Sequence, residues 1–199
     1  MSSRRMRGFS MIEVLIVVAV ALITSAVTFI NLRPILRQSH VNNGYNTTLA
    51  VLRNARETAI ATRRVYIVAF NQAAAPNTIT VTQANTGALI ATYQLPNDTF
   101  FTVQAGFPAV GPDGFGTGVA PVDFDQNVVG ASAADKSSLY FYPDGSVQDI
   151  NQNINNGVVY LGRIADTATP RAITVWGATG RLRGWRLFPN GATKYWGQM

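Results

Sequence analysis

The chain has 199 residues, 47% hydrophobic and 13% charged, with a formal net charge of +6, one histidine and no cysteine. The missing thiols exclude disulfide scaffolds, cysteine nucleophiles and thiolate metal sites, and fit a cytosolic or a periplasmic setting. The basic balance is not a uniform coat that would mark a general polyanion binder. Three arginines precede the first apolar run, Val65 to Tyr160 holds one base against seven acids (net −6), and Leu161 to the end holds six bases against one acid (net +5).

The N-terminus reads Arg4-Arg5-Met6-Arg7-Gly8, then Phe9-Ser10-Met11-Ile12-Glu13, then an almost unbroken apolar run from Val14 to Ile30. Phe9 to Ile30 forms about 33 Å of helix at 1.5 Å per residue, enough to span a bilayer core. Glu13 sits inside that segment, and a carboxylate there costs roughly 2.5–3.5 kcal/mol on insertion scales. A secretory signal peptide cut after Ala26, or a plain signal anchor, leaves Glu13 without purpose. The apolar run is also long for a cleaved peptide.

The stretch Gly8-Phe9-Ser10-Met11-Ile12-Glu13-Val14-Leu15-Ile16 resembles the signature of type IV pilins and type II secretion pseudopilins. The resemblance implies that a prepilin peptidase cuts between Gly8 and Phe9 on the cytoplasmic side and that Phe9 becomes N-methylated. Glu13 is then the fifth residue of the mature chain. In a packed helical fibre its carboxylate pairs with the free N-terminal amine of a neighbouring subunit, as polar groups in membranes pair with one another. The arginines before the cut hold that end in the cytoplasm, which implies a single pass of a bacterial inner membrane and a periplasmic globular domain.

Asn31-Leu32-Arg33-Pro34 closes the apolar run, and Pro34 predicts a kink or break in the helix. A second helical pattern follows. Tyr45, Leu49, Leu52, Arg56 and Ala59 fall at three- and four-residue spacing, with Arg53, Glu57 and Arg63 around the other side. Gly44 and the Asn42-Asn43 pair weaken its start. The apolar stripe is expected to lie on a sheet.

After Val65 the period changes to two. Val65 to Phe70, Thr78 to Thr82, Leu89 to Leu95, Thr99 to Val103, Ser138 to Tyr142, Val158 to Leu161, Ala172 to Trp176 and Leu182 to Phe188 are strand-like. Turn signals separate them at Asn85-Thr86-Gly87, Pro143-Asp144-Gly145, Asn155-Asn156-Gly157 and Pro189-Asn190-Gly191. The pattern predicts an α+β protein, one long N-terminal helix packed on a C-terminal antiparallel β domain. Phe107 to Asp135 is rich in Gly, Pro and Asp with little periodicity. It reads as a long loop or insertion on the sheet, a length that goes with function or mobility.

Three internal motifs sharpen the resemblance toward GspH/FimT-like minor pseudopilins. They are the helix end Ala55-Arg56-Glu57-Thr58-Ala59, the strand and turn Phe141-Tyr142-Pro143-Asp144-Gly145, and Gly180-Arg181-Leu182-Arg183 after the strand-like Arg171 to Val175. The implied organisation is a leader at 1–8, a transmembrane and fibre-core helix at 9–30, its amphipathic continuation at 31–64, and a periplasmic β-rich domain at 65–199. The insertion and the residues beyond Leu187 depart from the pattern and leave the sheet edge open.

No catalytic set stands out. His40 is the only histidine and reads as a solvated helix residue. There is no phosphate-binding glycine loop, no supported carboxylate pair and no zinc-type ligand set. Asp113-Gly114 and Asp123-Phe124-Asp125 lack the spacing of a calcium loop and read as solvated loop acids. The expectation is a non-enzymatic protein without cofactor or metal.

Gly180-Arg181-Leu182-Arg183-Gly184-Trp185-Arg186 sets three arginines on one turn and strand near Trp176, Tyr195 and Trp196. Guanidinium groups on phosphates and aromatics on bases hold DNA without reading sequence. In FimT-like minor pilins a motif of this kind is linked to DNA capture during transformation. The competing reading pairs these arginines with aspartates or with neighbouring subunits. The leading function is therefore a minor subunit at or near the tip of a type II secretion pseudopilus or type IV pilus, with other pilins, prepilin peptidase and possible secreted cargo as partners. The alternative is a DNA-binding minor pilin using Arg181, Arg183 and Arg186.

Overall fold

A single helix, α1 (Met11–Thr62), runs through both apolar patterns. The computed structural model describes residues 10–116, 118–126, 136–166, 170–191 and 193–199. The helix starts on Ser10, whose carbonyl accepts from the Glu13 and Val14 amides at 3.0 and 3.2 Å. Of the expected kink or break at Pro34, the break does not occur. A proline in a helix interior costs about 3 kcal/mol, and long helical flanks outweigh one lost backbone bond. The helix ends at Arg63, in the left-handed region at φ 54°, with the Arg64 amide donating back to the Ala59 carbonyl at 3.3 Å.

The chain divides into two compact units, Met1–Arg37 and Gln38–Met199. In the first, the described apolar side chains of α1 are exposed, among them Ile12, Leu15, Ile16 and Leu22. Its hydroxyls are satisfied within the helix: Thr24 donates to the Val20 carbonyl at 3.0 Å, Ser25 to Ala21 at 2.7 Å and Thr28 to Thr24 at 2.8 Å. Among the described residues no helix is long and apolar enough to cross a membrane.

The second unit combines the rest of α1 with two antiparallel sheets. The first contains β1 (Tyr66–Asn71), β2 (Thr78–Gln83), β3 (Leu89–Gln94), β6 (Ser138–Phe141) and β7 (Val147–Gln148), in the order β3-β2-β1-β6-β7. The second contains β4 (Phe100–Phe101), β8 (Asn156–Gly162), β9 (Arg171–Trp176), β10 (Arg181–Asn190) and β11 (Thr193–Gln198), in the order β11-β10-β9-β8-β4, with β5 (Val122–Gln126) also paired to β8. The Pro189-Asn190-Gly191 turn signal becomes the β10–β11 hairpin, whose last pair is Asn190 opposite Thr193.

One core joins these layers. Tyr45, Val51, Leu52, Ala55 and Ala59 of α1 pack with Val68, Phe70 and Ile79 of the first sheet and with Val159, Leu161, Ile173 and Val175 of the second. The strands follow period two where only one face is covered; Ile79, Val81 and Gln83 of β2 are buried and their neighbours half-buried. In β8 and β9 nearly every residue is buried, because the second sheet is covered on both faces. Its outer face carries a second cluster, Phe115, Val158, Tyr160 and Ala172, closed by Val103, Phe107, Trp185 and Trp196. The segment read as a long loop or insertion on the sheet is partly built into the domain. It contributes a short 3-10 turn at Pro112–Gly114, the aromatic lid Phe107 and Phe115, and strand β5. Residues 117 and 127–135 of that segment lie outside the described residues.

Candidate functional site

The three internal sequence motifs meet at one side chain. Arg56, on the last turns of α1, donates through Nε to the Gly145 carbonyl at 3.1 Å and through Nη2 to the Thr179 carbonyl at 3.1 Å. The helix end thus clamps the Pro143-Asp144-Gly145 turn and the turn before β10 together. Charge-assisted bonds to two carbonyls are about twice as strong as neutral ones, which suits a joint between elements far apart in sequence. Gly180 has φ +59°, and a Cβ on it would run into the Gly145 carbonyl and the Arg56 side chain. The partner turn is itself locked. Asp144 accepts from the Ser146 amide at 2.8 Å and its hydroxyl at 2.7 Å, which holds the Asp144 carboxyl below its ordinary value.

The clamp continues along the inner face of β10. A Cβ on Gly184 would land on the phenol of Tyr45. Burial raises the Tyr45 pKa, opposed by the charges of Arg53 and Arg171. Arg171 is itself buried. Burial first, then the charge of Arg186 opposite it in register, brings its pKa down to about 10, with Tyr45 acting the other way. Its Nη2 donates to Asn42 Oδ1 at 2.8 Å.

The arginines picked out by the sequence do not form one patch, and of the three Arg183 is the one held under the outer lid. Arg183 Nη1 lies 2.6 Å from Asp113 Oδ1, and its guanidinium stands 6.0 Å from the Trp176 ring centre. The other oxygen of Asp113 accepts from Thr174 Oγ1 at 2.6 Å and Trp176 Nε1 at 3.0 Å, and Trp185 Nε1 donates to Thr174 at 3.0 Å. Asp113 pins the lid segment across β9 and β10. Arg186 lies over the Phe188 ring at 5.2 Å, and its buried Nε has no hydrogen-bond partner among the described residues. Arg181 is exposed and lines a cleft of about 220 Å³ with Arg53, Arg56, Glu57 and Leu182.

The loop acids also differ from expectation. The Asp113 side chain is only 6% exposed, held between the lid and the sheet, and Asp123 is buried in β5 beside β8. The side chain of Asp125 lies outside the described residues. Among the described residues no group of three His, Cys, Asp or Glu side chains gathers around a common point. His40 is exposed, as its helix position suggested, but its Nδ1 lies 2.8 Å from Asp98 Oδ1, whose second oxygen lies 3.0 Å from Arg163 Nε.

Glu13 stands in the first turn of α1, exposed, with no side-chain partner among the described residues. It is flanked by the exposed apolar side chains of Ile12 and Val14. Gly8 and Phe9, the expected cleavage and methylation positions, lie outside the described residues. Sequence reasoning missed Asp113, Tyr45 and Gly184 as structural partners of the arginine strand. The only signal was the Gly184 gap between Arg183 and Trp185.

Comparison with known families locates the N-terminal feature. Residues 3–29 match the model for the prokaryotic N-terminal methylation motif, the leader of type IV pilin-like proteins. No curated protein and no solved structure matches the chain.

Proposed function

We propose that this chain is a non-catalytic minor pilin or pseudopilin of the GspH/FimT-like kind. It assembles at or near the tip of a type II secretion pseudopilus or type IV pilus and supports protein secretion or pilus biogenesis. The observation that carries the reading is the methylation motif at 3–29, continued without a break into a helix whose later turns form the core of a β domain. In this reading prepilin peptidase removes residues 1–8 and methylates Phe9. Residues 9–30 cross the inner membrane once and then enter the fibre core, residues 31–64 continue the helix, and residues 65–199 face the periplasm. Glu13 aligns the incoming subunit by pairing with a neighbour's terminal amine.

The meeting of three subgroup motifs on Arg56 supports the GspH/FimT-like assignment, since it gives their joint occurrence a structural reason. The DNA-capture alternative draws on Arg181, Arg183 and Arg186. Arg183 is already held by Asp113 and Arg186 by Phe188, which favours assembly over DNA capture. Fibres sheared or purified from cells that make the tagged full-length chain are expected to contain it at low stoichiometry. A chain that stays wholly in the membrane fraction while fibres form contradicts the proposal.

A further inference from the structure

Sheet edges expose unpaired backbone groups and are usually blunted by shortness, charge or proline. Here β7 and β4 are two residues long. Strand β11 carries Lys194, and its Tyr195 is stacked on Phe188. Strand β5, paired on one side to β8, carries Asp123 and Asp125. The edge strand β3 is six residues long and reads Leu-Ile-Ala-Thr-Tyr-Gln, without a charge or a proline. Among the described residues it pairs only with β2. The ladder is regular from Ala91 to Gln94, and a register shift near its start pushes Ile90 out of the pairing. Leu89 and Ile90 are 61% and 54% exposed. Beside this edge, Val51, Ala55 and Thr58 of α1 and Val81, Ile90 and Tyr93 of the sheet line a cleft of about 310 Å³.

We infer that β3 is a docking edge for an extended, uncharged strand of a different subunit in the same fibre, an inference that rests on the pilin reading above. A free backbone ladder is matched by another backbone in β conformation, and alternate side chains of the added strand supply specificity. The cleft between α1 and β3 accepts one apolar side chain of that strand. The absence of charge on β3 selects an uncharged partner, because a charged group opposite it loses hydration without gaining a counter-ion. A second copy of this chain is not the occupant. Two β3 strands would pair about a two-fold axis and close on themselves, whereas a fibre grows through head-to-tail contacts between unlike surfaces.

The test uses the full-length chain in cells that build the fibre. The variant Leu89→Lys/Thr92→Lys places two charges on exposed positions of the edge. Its fibre incorporation is expected to fall at least about tenfold, equivalent to 1.4 kcal/mol, with leader cleavage and amide-exchange protection of β1 and β2 unchanged. Incorporation of the variant at the wild-type level overturns the inference. A second arm places Thr92→Cys in the cysteine-free chain and attaches a thiol-linked photo-crosslinker. An adduct on an extended segment of another fibre subunit supports the inference, also where the lysine variant is poorly folded. An adduct only on a second copy of this chain, or on no fibre subunit, overturns it. If the unmodified chain is neither cleaved nor incorporated, the pilin reading fails and this inference with it. If it is cleaved and incorporated while both arms fail, only the docking edge is wrong.

Discussion

Glu13→Ala is expected to leave the chain made, membrane-associated and cleaved, yet to remove it from fibres. The hydroxyls of Thr24, Ser25 and Thr28 are closed onto carbonyls of their own helix, so they ask nothing of a neighbour. Glu13 has no such partner among the described residues. In hydrocarbon a lone carboxylate costs roughly 2.5–3.5 kcal/mol. In the proposed fibre the terminal amine of an adjacent subunit would relieve that cost, and only assembly would provide the amine. Alanine removes both the cost in the membrane and its relief in the fibre, so the balance shifts toward the unassembled state. At 1.4 kcal/mol per decade the loss of incorporation is on the order of a hundredfold. Glu13→Gln keeps a hydrogen bond but no charge and is expected to fall between the two. The comparison of fibre-bound with membrane-bound protein reads the effect, and full incorporation of the alanine variant contradicts it.

Gly184→Val is the second substitution with a large expected effect, and here strand propensity and packing disagree in sign. Valine favours strands and glycine weakens them, so propensity alone predicts a gain of up to about 1 kcal/mol. The structure predicts a loss, since a Cβ at this position would occupy the space of the Tyr45 phenol. Both residues are buried, Tyr45 in the core between α1 and the sheets. Overpacking of this kind costs about 1–3 kcal/mol or more, so thermal unfolding is expected to drop by about 2–12 °C for a chain of this size. Tyr45→Ala opens the space and is itself destabilising, by about 3–5 kcal/mol if it behaves like other large aromatic truncations. The double variant is expected to lose less than the two single variants together, because the clash disappears with the ring. Simple additivity, or a rise in stability for Gly184→Val alone, would show that the tyrosine does not constrain β10.

These two sites also mark what the sequence discloses and what it conceals. The methylation motif was legible because its signals are local: arginines, a glycine, an apolar run and one carboxylate fall within about thirty residues. The eight strands with strong β-branched or aromatic runs were legible for the same reason, each being a short period-two pattern between turn residues. Strand β5 was hidden because Val122 and Phe124 alternate with aspartates inside a Gly- and Pro-rich stretch, and its pairing with β8 is remote in sequence. The division into two sheets was likewise hidden, since no local pattern says which strands pair. Asp113 looked like a solvated loop acid because nothing nearby in the chain announces Arg183, Thr174 and Trp176 as its partners. The arginine strand was read as a surface cluster on alternation alone. Alternation places Arg183 on the outer face correctly, but the lid that covers that face comes from a segment some seventy residues earlier. At Pro34 the break that the local rule allows does not occur, because the helix on both sides of it continues.

The account stands on the position at which the mature chain begins. Intact mass and peptide mass spectrometry of the protein from cells containing prepilin peptidase should find a first residue at Phe9, carrying one methyl group on its amine, with Arg4, Arg5 and Arg7 absent. A first residue upstream of Phe9, or one beyond Ala26 as a secretory signal peptide would give, contradicts it.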